Sequence, residues 1–207
     1  MVTIATRVIK TEKNPNYVDT SNLPKTPRPH QVKAKQKIKD AIMEALLNNV
    51  HTIIPFISSV GSGKTDMEID SIYYGIKTCE ERGEKSVSFF VCPSLKLISG
   101  QIKELNDIKE KLEKEGVTGV EVQEWDCRVN DIDREKNFYN KHLIIIVCVD
   151  SLFGIDTNKG IDRFKMVWQP YFKKWIDEGR IGAAIVFDEA HNYGIYQIQM
   201  FGECFNL

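Results

Sequence analysis

The sequence predicts an α/β fold built on one doubly wound, mainly parallel sheet, and two observations lead there. Short apolar runs rich in branched residues alternate along the chain with segments whose apolar residues recur at three and four positions. Such alternation implies crossover units and a parallel sheet. The runs themselves are continuous rather than alternating, as in Leu143 to Val149 and Ala183 to Phe187. Strands of that kind are covered on both faces.

The elements follow in order. Residues 1–25 are polar and read as an extended N-terminal arm. Prolines at 15, 24, 27 and 29 disfavour a packed element there, and residues 26–207 form the expected domain. A helix is expected from Gln31 to Leu47, because Ile38, Ala41, Ile42, Ala45 and Leu46 form one stripe with the lysines largely off it. His51 to Ile57 has the length and branching of a buried strand. A glycine-rich turn, Val60 to Gly63, leads into a helix from Lys64 to Glu81, and Gly83 ends it.

Ser86 to Cys92 is the second strand. Pro93 and Ser94 open a helix with Leu95, Ile98, Ile102, Leu105 and Leu112 on one face, closed by Gly116. Val117 to Val122 and Leu143 to Val149 are further strands. A helix over Asp162 to Asp177 carries Phe164, Val167, Trp168, Tyr171, Phe172 and Trp175, and Pro170 should kink or split it. Ala183 to Phe187 is the last strand.

Composition narrows the class. The chain has 207 residues, 42% hydrophobic and 28% charged, which is enough for one domain with its own core. No apolar run is long enough to span a bilayer, and residues 1–13 lack the apolar core of a signal peptide, so the expected location is the cytoplasm or wherever a host keeps its nucleic acid. The five cysteines are odd in number and none are at metal-ligand spacing, which favours reduced thiols. Net charge is −1, yet residues 1–40 hold nine Lys/Arg against three Asp/Glu, a net of +6 that leaves −7 for the remainder. A basic segment can meet phosphates, but charge alone fits a solvated helix face as well.

Two motifs carry chemistry. The first is Ser58-Ser59-Val60-Gly61-Ser62-Gly63-Lys64-Thr65, after a strand and opening a helix. Glycines let successive backbone N–H groups turn toward a phosphate, and the helix N-terminus adds its positive dipole end. Residues Ser59 to Thr65 are therefore the expected ATP-binding loop. Lys64 brings a charge to the β- and γ-phosphates, and the Thr65 hydroxyl is a ligand for Mg2+. Ser58 stands where the pattern usually has glycine.

The second motif is Asp188-Glu189-Ala190-His191, directly after the last apolar run. A carboxylate at the C-terminal edge of a parallel strand faces the ligand crevice. Asp188 is expected to hold the magnesium and Glu189 to act as general base on the attacking water. His191 is a candidate for coupling the nucleotide to the rest of the molecule.

With both motifs in hand, the chain from about Thr26 to His191 resembles a superfamily-two helicase of the DEAH-box-like or restriction-subunit-like branch. The resemblance implies a RecA-like P-loop lobe that binds ATP and Mg2+ and acts on DNA or RNA, DNA slightly favoured. Arg28-Pro29-His30-Gln31 looks like the adenine-reading element, which implies that Gln31 bonds the adenine edge with Arg28 near the base. Read from its residues alone, the same stretch is a helix N-terminus after Pro29. Cys92-Pro93-Ser94-Leu95 and Val149-Asp150-Ser151-Leu152 look like nucleic-acid backbone contacts, which implies roles for Pro93, Ser94 and Ser151. Ser94 is equally a plain N-cap.

Such motors use two lobes, the second supplying an arginine that stabilises transition-state charge. Leu207 lies sixteen residues beyond His191, and no Ser-Ala-Thr motif follows the acidic box. The expectation is thus a first lobe only, with the second supplied by further chain or in trans, and weak hydrolysis by the lobe alone. The alternative is a nucleotide-dependent protein-interaction module without motor activity. A small-molecule kinase ranks third, since phosphate-loop kinases do not characteristically carry the DEAH box.

Overall fold

A computed structural model describes residues 5–6, 9–10, 28–50, 52–57, 63–125, 140–153, 155–156, 161–162, 164 and 168–190. Four strands make the central sheet: β5 (Lys85–Cys92), β6 (Val120–Trp125), β7 (His142–Cys148) and β10 (Arg180–Phe187). Their order is β10-β5-β7-β6, and every pair is parallel. Parallel neighbours need crossovers. Of the described helices, α1 (Pro29–Asn48) and α2 (Lys64–Glu81) precede the sheet, α3 (Leu95–Lys114) lies between β5 and β6, and the single-turn α4 (Val149–Phe153) and α5 (Gln169–Asp177) lie between β7 and β10.

The sheet is covered on both faces, which is why its strands read as continuous apolar runs. Side chains alternate with a period of two. Phe90, Cys92, Ile144, Ile146 and Cys148 pack with Ile72, Ile76, Ile98 and Leu105 of α2 and α3. Val87, Phe89, Val91, Leu143, Ile145 and Val147 face the other way, onto Trp168, Phe172 and Trp175. Trp125 joins that second cluster, with ring centroids 5.1 Å from Trp168 and 5.3 Å from Trp175. A third cluster seats Ala34, Ile38, Ile42 and Leu46 of α1 on Met67 and Cys79 of α2. Gly75 lets α2 approach β10, since a Cβ there would come within 2.9 Å of the Ala183 carbonyl. Cys79, Cys92 and Cys148 are buried and free.

Several elements depart from expectation, among them β10, which begins at Arg180 rather than Ala183. The strand expected over His51 to Ile57 is two short pieces, β3 (Thr52–Ile53) and β4 (Phe56–Ile57). Pro55 lies between them and has no N–H for a ladder. They pair with β1 (Ala5–Thr6) and β2 (Ile9–Lys10), in parallel, and not with the central sheet. Part of the expected arm is thus hydrogen-bonded; the prolines that suggested an unpacked segment begin only at Pro15.

The helix expected from Asp162 is also shorter. It starts at Gln169, with Pro170 in its first turn, where a missing N–H costs no intrahelical bond. Ile161–Asp162 (β9) instead pairs antiparallel with Ile155–Asp156 (β8). Finally, β6 begins at Val120 rather than Val117. Gly119 turns the chain at φ +69° against the backbone of Lys141. No helix among the described residues is long and apolar enough to cross a membrane.

Candidate nucleotide site

The C-terminal ends of the strands line up. Val91 is level with Phe187, and Cys92 with Cys148. One residue further, the Asp188 N–H donates to the Val91 carbonyl at 3.0 Å, which holds Asp188 beside the end of β5. Its side chain is only 9% exposed. Glu189 follows in the left-handed region at φ +53°, unusual for a residue with a side chain, and is half exposed. The turn from β10 into the acidic box thus leaves one carboxylate shielded and the next half exposed.

Helix α2 brings the cation. Gly63 caps it at φ +81°, a conformation that suits glycine, and Lys64 is its first residue. The Lys64 ammonium lies 3.4 Å from Asp188 Oδ1 and 3.5 Å from Glu189 Oε1. Two motifs far apart in sequence therefore meet. A third carboxylate joins them: Glu68 Oε1 is 3.6 Å from the same ammonium. Burial lowers the Lys64 pKa, but the summed pull of Glu68, Asp188 and Glu189 outweighs it and the ammonium stands raised. Burial pushes the Glu68 carboxyl up to about 7; Lys64 pulls against that rise, while Asp188 and Glu189 add to it.

Gln31 lies in the first turn of α1. Its Oε1 accepts from the Arg28 N–H at 2.7 Å, reaching back to the N-cap as such a residue does. Its amide also lies against Gly63, where any Cβ would overlap it. The helix-start reading of this stretch therefore holds, and the same residue touches the end of the phosphate loop. Thr65 is half-buried in the first turn of α2. Ser58, Ser59, Val60, Gly61, Ser62 and His191 lie outside the described residues.

The expected nucleic-acid contacts differ among themselves. Pro93 and Ser94 are half-buried at the end of β5, and Ser94 is the N-cap of α3 without a side-chain cap bond. Ser151 is 5% exposed; its hydroxyl faces Cys148 Sγ at 3.7 Å and its carbonyl accepts from Trp168 Nε1. Glu68 was missed in the sequence, although a signal existed. Residues four apart share a helix face, so an acid four residues after Lys64 falls beside it.

Thr65 and Asp188 offer hard oxygen donors of the kind magnesium takes, usually one or two protein groups with phosphate oxygens completing the set. Among the described residues no group of three or more His, Cys, Asp or Glu is arranged to hold a metal ion unaided.

Neither curated proteins nor solved structures yielded a match to the chain. A family model does match, the type III restriction enzyme res subunit, over residues 24–205. That span takes in α1, the glycine-rich segment before α2, the whole central sheet and Asp188 to His191. The chain belongs to the type III restriction enzyme res subunit family, whose members carry a helicase-like ATP-binding lobe.

Proposed function

We propose that this chain is the ATP-binding lobe of an ATP-dependent helicase or translocase that acts on nucleic acid, DNA before RNA. The observation that carries the reading is the meeting of Lys64 with Asp188 at 3.4 Å, at the C-terminal edge of a parallel sheet. Family membership supports it.

In this reading Ser59 to Thr65 cradle the phosphates through backbone N–H groups and the dipole end of α2. Lys64 gives its ammonium to the β- and γ-phosphates. Thr65 and Asp188 are the protein ligands of Mg2+, which when bound neutralises charge on the phosphate oxygens. Glu189 accepts the proton of the water that attacks the γ-phosphorus, as the bond to the β–γ bridging oxygen breaks. Its half-exposed side chain supports that role, because water can reach the carboxylate while its Oε1 stays 3.5 Å from Lys64.

Gln31 and Arg28 would read the adenine. The contact of Gln31 with Gly63 supports a link between base and phosphate loop. His191 would couple nucleotide state to the second lobe. Pro93 and Ser94 are better placed for a nucleic-acid backbone than Ser151, whose hydroxyl is buried against Cys148. Full turnover needs a second RecA-like lobe with its arginine, from further chain or in trans.

The test compares ATP hydrolysis by the complete two-lobe assembly with and without single-stranded DNA or RNA. Stimulation by nucleic acid is the expected outcome. Turnover indifferent to both polymers would remove the motor reading and leave a nucleotide-dependent interaction module.

A further inference from the structure

Three carboxylates surround one ammonium, and two of them have work in the reaction just described. Glu68 does not. Its side chain is 10% exposed, and Oε1 sits 3.6 Å from Lys64 Nζ. Its other oxygen, Oε2, is buried without a hydrogen-bond partner among the described residues. A buried carboxylate with an orphaned oxygen is costly and is seldom kept without a reason. Helix geometry makes the arrangement rigid, because one turn of α2 separates Lys64 from Glu68.

We propose that Glu68 is a third carboxylate of the nucleotide site, competing with phosphate for the Lys64 ammonium and so making nucleotide binding depend on a divalent cation. This deepens the nucleotide-site reading and rests on it. The physical case is one of charge. A phosphate that takes the Lys64 ammonium must settle close to Glu68, Asp188 and Glu189, all within 3.6 Å of that nitrogen. Asp188 is answered by the metal it binds, and Glu189 is half exposed to water. The Glu68 side chain is only 10% exposed and gives up Lys64, its cationic partner among the described residues, so its charge opposes the phosphate through a poorly screened path. A divalent cation arriving with the nucleotide restores the balance.

The experiment is calorimetric titration of ADP into the wild-type chain, Glu68→Gln and Glu68→Ala. Each is measured in excess magnesium chloride and in EDTA, at about pH 8 where the carboxyl is ionised. Thermal melts establish that each variant is folded. The expected result is that both variants bind ADP in EDTA at least about tenfold more tightly than wild type, with affinity in magnesium changed by less than about threefold. The magnesium dependence therefore falls by about tenfold, which a merely structural residue would not produce.

Wild-type binding with an unchanged magnesium dependence in a folded variant would overturn this inference and leave the nucleotide site standing. Failure of the wild type to bind ADP in magnesium would overturn both. Loss of the folded state in both variants would mark Glu68 as structural and overturn the inference as well.

Discussion

The two ends of the sheet are built from similar residue types and behave differently. At the N-terminal end, buried Arg180 donates to the carbonyls of Asn140, Lys141 and Ser86 at 2.7, 3.0 and 3.1 Å. Next to it, fully buried His142 lies 2.8 Å from the Ser86 hydroxyl and 2.7 Å from Glu80 Oε2, and Lys141 also pairs with Glu80. At the C-terminal end, Lys64 stands 3.4 to 3.6 Å from three carboxylates, and Glu68 Oε2 has no partner among the described residues. Short, directional bonds tie strand starts together and hold one arrangement. Long ion pairs around a single ammonium leave room for a ligand to change the pairing. Short polar contacts mark the N-terminal edge, and longer ion pairs mark the candidate site.

The largest effect that could break this contrast is catalytic. Glu189→Gln in the two-lobe assembly should keep ATP affinity and lower turnover by about 10²–10⁴-fold, read by steady-state kinetics. Normal turnover would place the base elsewhere. Next comes the scaffold. Arg180→Ala should cost about 3–5 kcal/mol in a denaturant melt, since three hydrogen bonds to backbone carbonyls are lost at a buried position, although the Lys141 carbonyl keeps the Ser86 N–H. Its ADP affinity should match wild type wherever the protein remains folded. Lys64→Ala should do the reverse. Nucleotide affinity should fall by at least about a hundredfold, or about 2.7 kcal/mol, with little change in melting temperature.

A last contrast lies in pH. Burial lowers the His142 pKa while Glu80 opposes the shift, so below the ordinary value near 6.5 the unfolded chain binds the proton more readily. That end's stability is therefore present above about pH 6.5 and declines as pH falls. Glu68 behaves oppositely. With its folded pKa raised to about 7 from 4.5, the folded chain binds the extra proton and loses stability as pH rises through that window. Glu68→Gln should remove the loss on rising pH, by about 3 kcal/mol at most. His142→Gln should remove the decline on the acid side. Melts across pH would separate the two ends.

The parts of this molecule legible in its sequence are those set by local physics. Helix α2 runs from Lys64 to Glu81 as expected, because the glycine loop, the apolar period and Gly83 all act within a few residues. Continuous apolar runs marked β5, β7 and β10, and Asp188-Glu189 directly follows β10. What escaped depends on partners distant in sequence. Nothing near Thr52 says that Ala5 pairs with it, although Pro55 could have warned that the strand would break. Arg180 reads as a surface cation until the fold sets it under three carbonyls. Glu68 reads as an ordinary helix acid until Asp188 and Glu189 close around the same lysine.

The most direct test of the site's position is amide hydrogen exchange with and without magnesium-ATP. The account predicts added protection over residues 63–68 and 188–190, at the C-terminal edge, with residues 85–86, 140–142 and 180 at the other end unchanged. Protection confined to the N-terminal edge, or none under conditions where ATP is bound, would contradict it.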